Sequence, residues 1–382
     1  MKYAEYGFKP FEICDHHAHI IAPIRIEDTE RILEELMSYF KYSRIGILSL
    51  TTDCGDGESD PDENLKSFYI KDKLNRDVPN RAFIYANPQY HFDGSDTADG
   101  YLAEAKELYS MGADGFKFLD GKPILRKKIN RRISDPIYDK MYAWFEEMGI
   151  PVLMHVADPK YFWGPREGMS EAWIKNGWWC GDGTFPSFEQ LHEETYELLR
   201  KFPKLKFCAA HCFFLGYDIN ALTEFFETWE NTAFDLTPAL INLSQMGEKA
   251  EEWRAFFKKY SKRIFFGTDS CNYLWDGPME KYEKFIAPGI VRRVLEKPTT
   301  EEFDARDMHF VPLGLDDDTL RDIYFNNHKA LHPTARPLDR ELIEFNAKKM
   351  LDYIKARSVY YESEERYALE EHNMNTVLSH FS

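Results

Sequence analysis

The stretch FEICDHHAHI, residues 11–20, decides how the rest of the chain is read. Its mix of β-branched, aromatic and small residues predicts a strand. Side chains two apart on a strand share a face, so His17 and His19 point one way and His16 the other, toward an outer layer. Two imidazoles converging at the end of one strand ask for a partner there.

Further runs of the same kind follow at RIGILSL (44–50), RAFIYANP (81–88), DGFKFL (114–119), PVLMHVAD (151–158), KFCAAHCFF (206–214), TAFDLTP (232–238) and RIFFGTDS (263–270), which makes eight. Between them lie stretches of helical periodicity around 28–41, 61–78, 97–111, 136–148, 187–202, 218–230 and 247–261. Parallel neighbours need a crossover, usually a helix, and closure of the sheet removes both of its edges. The alternation therefore predicts an α/β fold, a TIM (β/α)8 barrel.

Three connections exceed a plain crossover: TTDCGDGESDPDEN after the second strand, residues 158–186 after the fifth, and roughly 271–315 after the eighth. Each follows the C-terminal end of a strand, where barrel enzymes build their sites. Residues 316–333 read as a helix capped by acids, as the helix dipole favours. The barrel is expected to span 1–333, with residues 334–382 as a helical extension packed on its outside.

Composition narrows the function. With 48 Lys and Arg against 65 Asp and Glu the 382-residue chain carries a formal charge of −17, which argues against nucleic acid or an anionic membrane as partner. No run approaches the roughly 20 apolar residues of a membrane span. The N-terminus lacks the basic and apolar regions of a secretory signal. Six scattered cysteines suit free thiols in a reducing compartment. The expectation is a cytoplasmic protein acting on a small molecule, with the helical extension as a candidate homodimer contact. Half of the eight tryptophans, Trp163, Trp173, Trp178 and Trp179, fall in the loop 158–186. That aromatic rim favours a planar or unsaturated substrate.

The polar residues at the strand ends carry the chemistry. His155 lies near the end of the fifth strand, His211 in the sixth and Asp269 at the end of the eighth. With His17 and His19 they would be costly to bury unpaired. A divalent metal removes that cost, and imidazole with carboxylate suits zinc, manganese or iron. A lone strand histidine is more often core than ligand; the joint pattern at the ends of different strands carries the reading.

ICDHHAHI, MHVAD, CAAHCFF and FFGTDS, in that order, resemble the amidohydrolase superfamily of metal-dependent barrel enzymes. LRDIYFNNHKALHP is similar to the closing helix of its "amidohydrolase 2" branch, which also contains decarboxylases. The resemblance runs from about residue 11 to 333. It implies His17, His19, His155 and Asp269 as metal ligands, with zinc first and manganese or iron as alternatives. His211 matches a sixth-strand histidine that acts on substrate or holds a second metal. Lys117 in DGFKFL matches the position of a carboxylated, metal-bridging lysine in some members. Read on its own chemistry, Lys117 is carboxylated and accompanied by a second metal, contacts substrate, or pairs with Asp120 at the rim.

The ligand set implies a metal-activated water, with Asp269 moving its proton and His211 stabilising the developing oxyanion. That is hydrolysis of a C–N or C–O bond in an amide, lactone or ester. The alternative is non-oxidative decarboxylation of an unsaturated or aromatic acid, in which the metal holds the carboxylate. Trp163, Arg166 and Trp178 are candidate substrate contacts, with Lys160, Trp179 and His91 behind them. Cys208 and Cys212, on one face of a strand, read as core. The acidic run Asp53, Asp56, Glu58, Asp60, Asp62, Glu63 reads as a solvated loop.

Overall fold

The apolar alternation within each run decides which face of the sheet it supplies. In the computed structural model, which describes residues 3–51, 62–91, 94–238, 240–272, 279, 288–358, 361 and 363–382, the runs form β1 (Ile13–His19), β2 (Tyr42–Leu48), β3 (Ala82–Ala86), β4 (Gly115–Gly121), β5 (Val152–Val156), β6 (Phe207–Ala209), β7 (Thr232–Asp235), β8 (Ile264–Phe265) and β9 (Ser270–Cys271). They pair in parallel in the order β8-β7-β6-β5-β4-β3-β2-β1-β9. β8 and β9 are two ends of one short segment. Leu236 N–H donates to Phe265 O, whereas His16 N–H donates to Phe266 O and Asp269 N–H to His17 O. The segment thus joins β7 to β1 and closes the expected barrel.

Ile45, Ile47, Ile84, Phe116, Met154 and Phe234 pack outward against the helices in the large core. Leu48, Tyr85, Leu153, Cys208 and Phe265, drawn from five strands, fill the interior beneath the mouth. Burying each such side chain contributes roughly 1.5–3 kcal/mol. The crossover Ile26–Phe40 presents Leu33, Leu36, Met37 and Phe40 as a buried helical stripe. Thr97, Ser187 and Asp218 cap later helices through their side-chain oxygens. Gly112 ends Ala98–Met111 at φ 117°, and a Cβ there would lie 2.6 Å from Pro337 O. Only glycine fits that return.

Two local expectations are corrected. A one-residue register shift between Asp15 and Ala18 of β1 breaks the simple alternation. His16 consequently stacks on Phe265 and meets Tyr85, both inner-face residues, instead of facing the outer layer. The sixth strand ends at Ala209, so His211 and Cys212 are not strand residues; His211–Phe214 form a turn. Helices at Pro123–Ile129, Glu171–Lys175 and Leu240–Gly247 were not foreseen from periodicity.

The closing helix starts at the Asp316 cap and contains a π-helical turn over Asp322–Asn326. Arg340–Ala356 and Glu364–Phe381 pack on each other and on Glu63–Asn75. Among the described residues no helix is long and apolar enough to cross a membrane. Of the acidic run, Asp53, Asp56, Glu58 and Asp60 lie outside the described residues, as does Cys54.

Candidate metal centre

The mouth of the barrel gathers side chains from several strand ends. His17 and His19 leave β1 inward, with Nε2 atoms 3.0 Å apart. Asp269 brings Oδ1 to 3.0 Å from His19 Nε2 and 3.5 Å from His17 Nε2. These three form a group able to hold a metal ion. Both imidazoles are buried, whereas the Asp269 side chain keeps 34% of its surface exposed at the mouth. Lys117 is wholly buried and turns inward, its Nζ 3.3 Å from His17 Nε2. Asp120 instead accepts from Tyr90 OH at 2.6 Å.

Outer partners fix where each ring keeps its proton. His17 Nδ1 lies 2.7 Å from Asp235 Oδ2, and His19 Nδ1 lies 2.7 Å from Leu48 O. A carboxylate and a carbonyl can only accept, so both rings donate there and present a lone pair at Nε2. The same logic covers the neighbouring pair. His155 Nε2 lies 3.1 Å from Asp158 Oδ1, and its Nδ1 lies 3.1 Å from His211 Nε2. Thr237 Oγ1 donates to Asp235 Oδ1 at 2.5 Å and therefore accepts from His211 Nδ1 at 2.8 Å. His155 and His211 then face each other lone pair to lone pair.

Electrostatics agree with this assignment. Burial, reinforced by the Lys117 charge, lowers the His17 pKa to about 4. Burial and the Lys122 charge lower His155 to about 4. Burial and then His155 take His211 well below the usual imidazole range. For Asp269 burial acts upward, but the neighbouring His19, His17 and His211 act downward more strongly, so the carboxyl lies well below its ordinary range. Neutral imidazoles around an ionised carboxylate are the donor set of a divalent cation, with the Lys117 side chain at their edge. The residues fit the metal that the sequence implies.

The turn His211–Phe214 that aims His211 has all of its residues at positive φ, between 50° and 57°. Left-handed backbone costs roughly 1–2 kcal/mol per non-glycine residue. His211 N–H donates to Asp235 Oδ1 at 2.8 Å, Asn242 Nδ2 donates to His211 O at 2.8 Å, and Phe213 and Phe214 are buried. Those contacts hold the strained turn. Gly267 is required for space: a Cβ there would lie 2.6 Å from Thr237 Cγ2 and 3.1 Å from His17 Cβ.

The amidohydrolase family model matches residues 88–331, well over half of the chain. The chain belongs to the amidohydrolase family. The matched stretch carries Lys117, His155, His211 and Asp269, while His17 and His19 precede it. No curated protein matches. Among solved structures, an uncharacterised TIM-barrel protein from Bordetella bronchiseptica shares the fold at a TM-score of 0.53 and 14% identity, over 85% of this chain and 99% of that one. A 5-carboxyvanillate decarboxylase from Sphingomonas paucimobilis aligns at 0.48 and 11%, over 85% and 99%. A 4-oxalomesaconate hydratase from Rhodopseudomonas palustris aligns at 0.47 and 13%, over 89% and 99%.

Within this amidohydrolase the Trp-rich loop is held mainly by its own contacts. Trp163 donates to Pro186 O and packs on Phe188, Arg166 lies over the Trp179 ring, and Trp178 stacks near Phe162. Lys160 pairs with Glu189, and His91 pairs with Asp96. The aromatic ring brought to the centre is Phe214, 5.1 Å from the His211 ring and 5.7 Å from His155. Sequence reading assigned no role to Asp158, Asp235, Thr237 or Phe214. Asp235 and Thr237 stand in TAFDLTP at the end of a strand, the same signal that selected His155.

Proposed function

We propose that the chain is a metal-dependent hydrolase that cleaves a C–N or C–O bond of an amide, lactone or ester in a small organic substrate. The observation that carries this is the convergence of two imidazole lone pairs and the Asp269 carboxylate on one point at the barrel mouth. His17, His19 and Asp269 would hold the metal, with zinc first among the candidates; His155, expected as a further ligand, sets its Nδ1 against His211 Nε2. A divalent cation bound there supplies a Lewis acid for a carbonyl and makes a water acidic near neutral pH.

The chain's own groups do the rest. Asp269, ionised and partly exposed at the mouth, accepts the proton of the attacking water and returns it to the leaving group. His211, with Nδ1–H committed to Thr237, presents a bare Nε2 that can accept a hydrogen bond from substrate but has no proton to give an oxyanion. Phe214 offers a flat apolar face to a planar acyl group.

That ring also supports the second reading, decarboxylation of an unsaturated or aromatic acid, in which protonation of the carbanion falls to Asp269 or His211. A zinc- or manganese-loaded preparation assayed on lactones, amides and aromatic acids, with CO2 monitored, separates the two. Hydrolysis without CO2 supports the first reading. CO2 release from an acid, with the lactones and amides untouched, replaces it with the second.

A further inference from the structure

One carboxylate underlies both halves of the centre. Asp235 is wholly buried at the end of β7, and its two oxygens serve different rings. Oδ2 accepts from His17 Nδ1 at 2.7 Å. Oδ1 accepts from the His211 backbone N–H at 2.8 Å, from Thr237 N–H at 3.2 Å and from the Thr237 hydroxyl at 2.5 Å. That hydroxyl in turn accepts from His211 Nδ1 at 2.8 Å. The remaining imidazoles are held independently, His19 by Leu48 O and His155 by Asp158.

We infer that Asp235 is a shared positioning residue, which fixes the tautomer of the ligand His17 directly and that of His211 through Thr237. The inference rests on the metal reading given above. Its physical basis is the direction of the hydrogen bonds. An ionised carboxylate accepts from His17 and so leaves Nε2 bare for a cation. Having taken the Thr237 proton, it leaves that hydroxyl able only to accept from His211, which bares the second Nε2. Removing the charge at Asp235 loosens both rings; removing the hydroxyl at Thr237 loosens only one.

The test uses the full chain with zinc as probe. Zinc affinity is read by competition with a chromophoric chelator, and histidine tautomers are read from 15N shifts of the metal-free protein. In D235N zinc affinity falls by roughly 10–100-fold, the range seen when an outer partner of a ligand is removed, and at least one of the His17 and His211 rings loses the Nδ1–H signature, because the amide keeps a single acceptor oxygen. In T237V affinity stays within about 3-fold of wild type by the same reasoning, because no ligand loses its outer partner; His211 alone changes tautomer, and T237S restores it. Circular dichroism identifies any variant that fails to fold, and T237V with T237S then carries the test. A wild type that binds zinc while D235N binds equally tightly, or a T237V protein whose His211 shift is unchanged, overturns the inference alone. A wild-type chain that takes up no zinc or manganese overturns the metal reading, and this inference with it.

Discussion

The Nε2 atoms of His17 and His19 face each other at 3.0 Å, each ring having committed its proton to an acceptor behind it. The Lys117 ammonium reaches the His17 lone pair at 3.3 Å, and a divalent cation would meet both rings and the Asp269 carboxylate at once. The protein purified without chelator is therefore expected to carry about one equivalent of zinc or manganese per chain, one ion being the fewest that satisfies the pair. Calorimetry should show chelation lowering the melting temperature and zinc restoring it. At a free concentration of 100 Kd the added stability is about 2.7 kcal/mol. An unchanged melting temperature, with no metal in elemental analysis, contradicts the reading.

Asp269 has a left-handed backbone, φ 55°. Asparagine tolerates that region about as well as aspartate, so Asp269→Asn is expected to keep the fold by circular dichroism. It loses the proton acceptor, and turnover should fall by roughly 10²–10⁴-fold. Steady-state kinetics on a substrate found in the panel checks this, and wild-type turnover would remove Asp269 from the proton path.

Gly267 leaves room for His17 and Thr237 to approach across it. Gly267→Ala should cost about 1–3 kcal/mol, the usual range for overpacking, and should weaken zinc binding as His17 is pushed aside. Urea unfolding with a zinc titration reads both effects. A variant as stable as wild type, with unchanged zinc affinity, would show that the neighbours yield freely.

Beneath the centre lies a second group of buried histidines. His16 and His328 have no hydrogen-bond partner on either ring nitrogen among the described residues, and His332 Nε2 lies 2.6 Å from Tyr85 OH. Burial lowers His16 to about 3 and takes His328 and His332 well below the usual imidazole range. In the unfolded chain each would bind a proton near pH 6.5. Stability is therefore full above that pH and is lost as the pH falls toward the lowered values, by up to about 1.4 kcal/mol per pH unit for each ring. Urea unfolding of metal-free protein at pH 7 and pH 5 measures this slope. His328→Phe, placed beside Phe83 and His16, should flatten it; an unchanged slope would mean that His328 protonates in the folded state.

Much of the barrel was legible because its signals are local. Runs of β-branched, aromatic and small residues marked the strands, a period near 3.6 the main crossovers, and residue chemistry at the strand ends selected His17, His19, His155, His211 and Asp269, which the fold gathers at one mouth. The inward turn of Lys117 left its pairing with Asp120 unmade. The errors were also local in origin. Alternation assumes an unbroken ladder, and the register shift in β1 turned His16 inward. Strand propensity in KFCAAHCFF hid a left-handed turn that only contacts from Asp235 and Asn242 make tenable.

The sequence by itself determined the number and order of the strands, the side of the barrel that carries polar groups, and the kinds of atom offered there, since each follows from neighbours along the chain. Tertiary structure alone decided where the protons sit. His17 owes its free Nε2 to Asp235, 218 residues away in sequence, and His19 owes its own to the carbonyl of Leu48 on the adjoining strand. A ring's tautomer is set by whichever acceptor reaches its other nitrogen, and that acceptor is fixed only when the sheet closes.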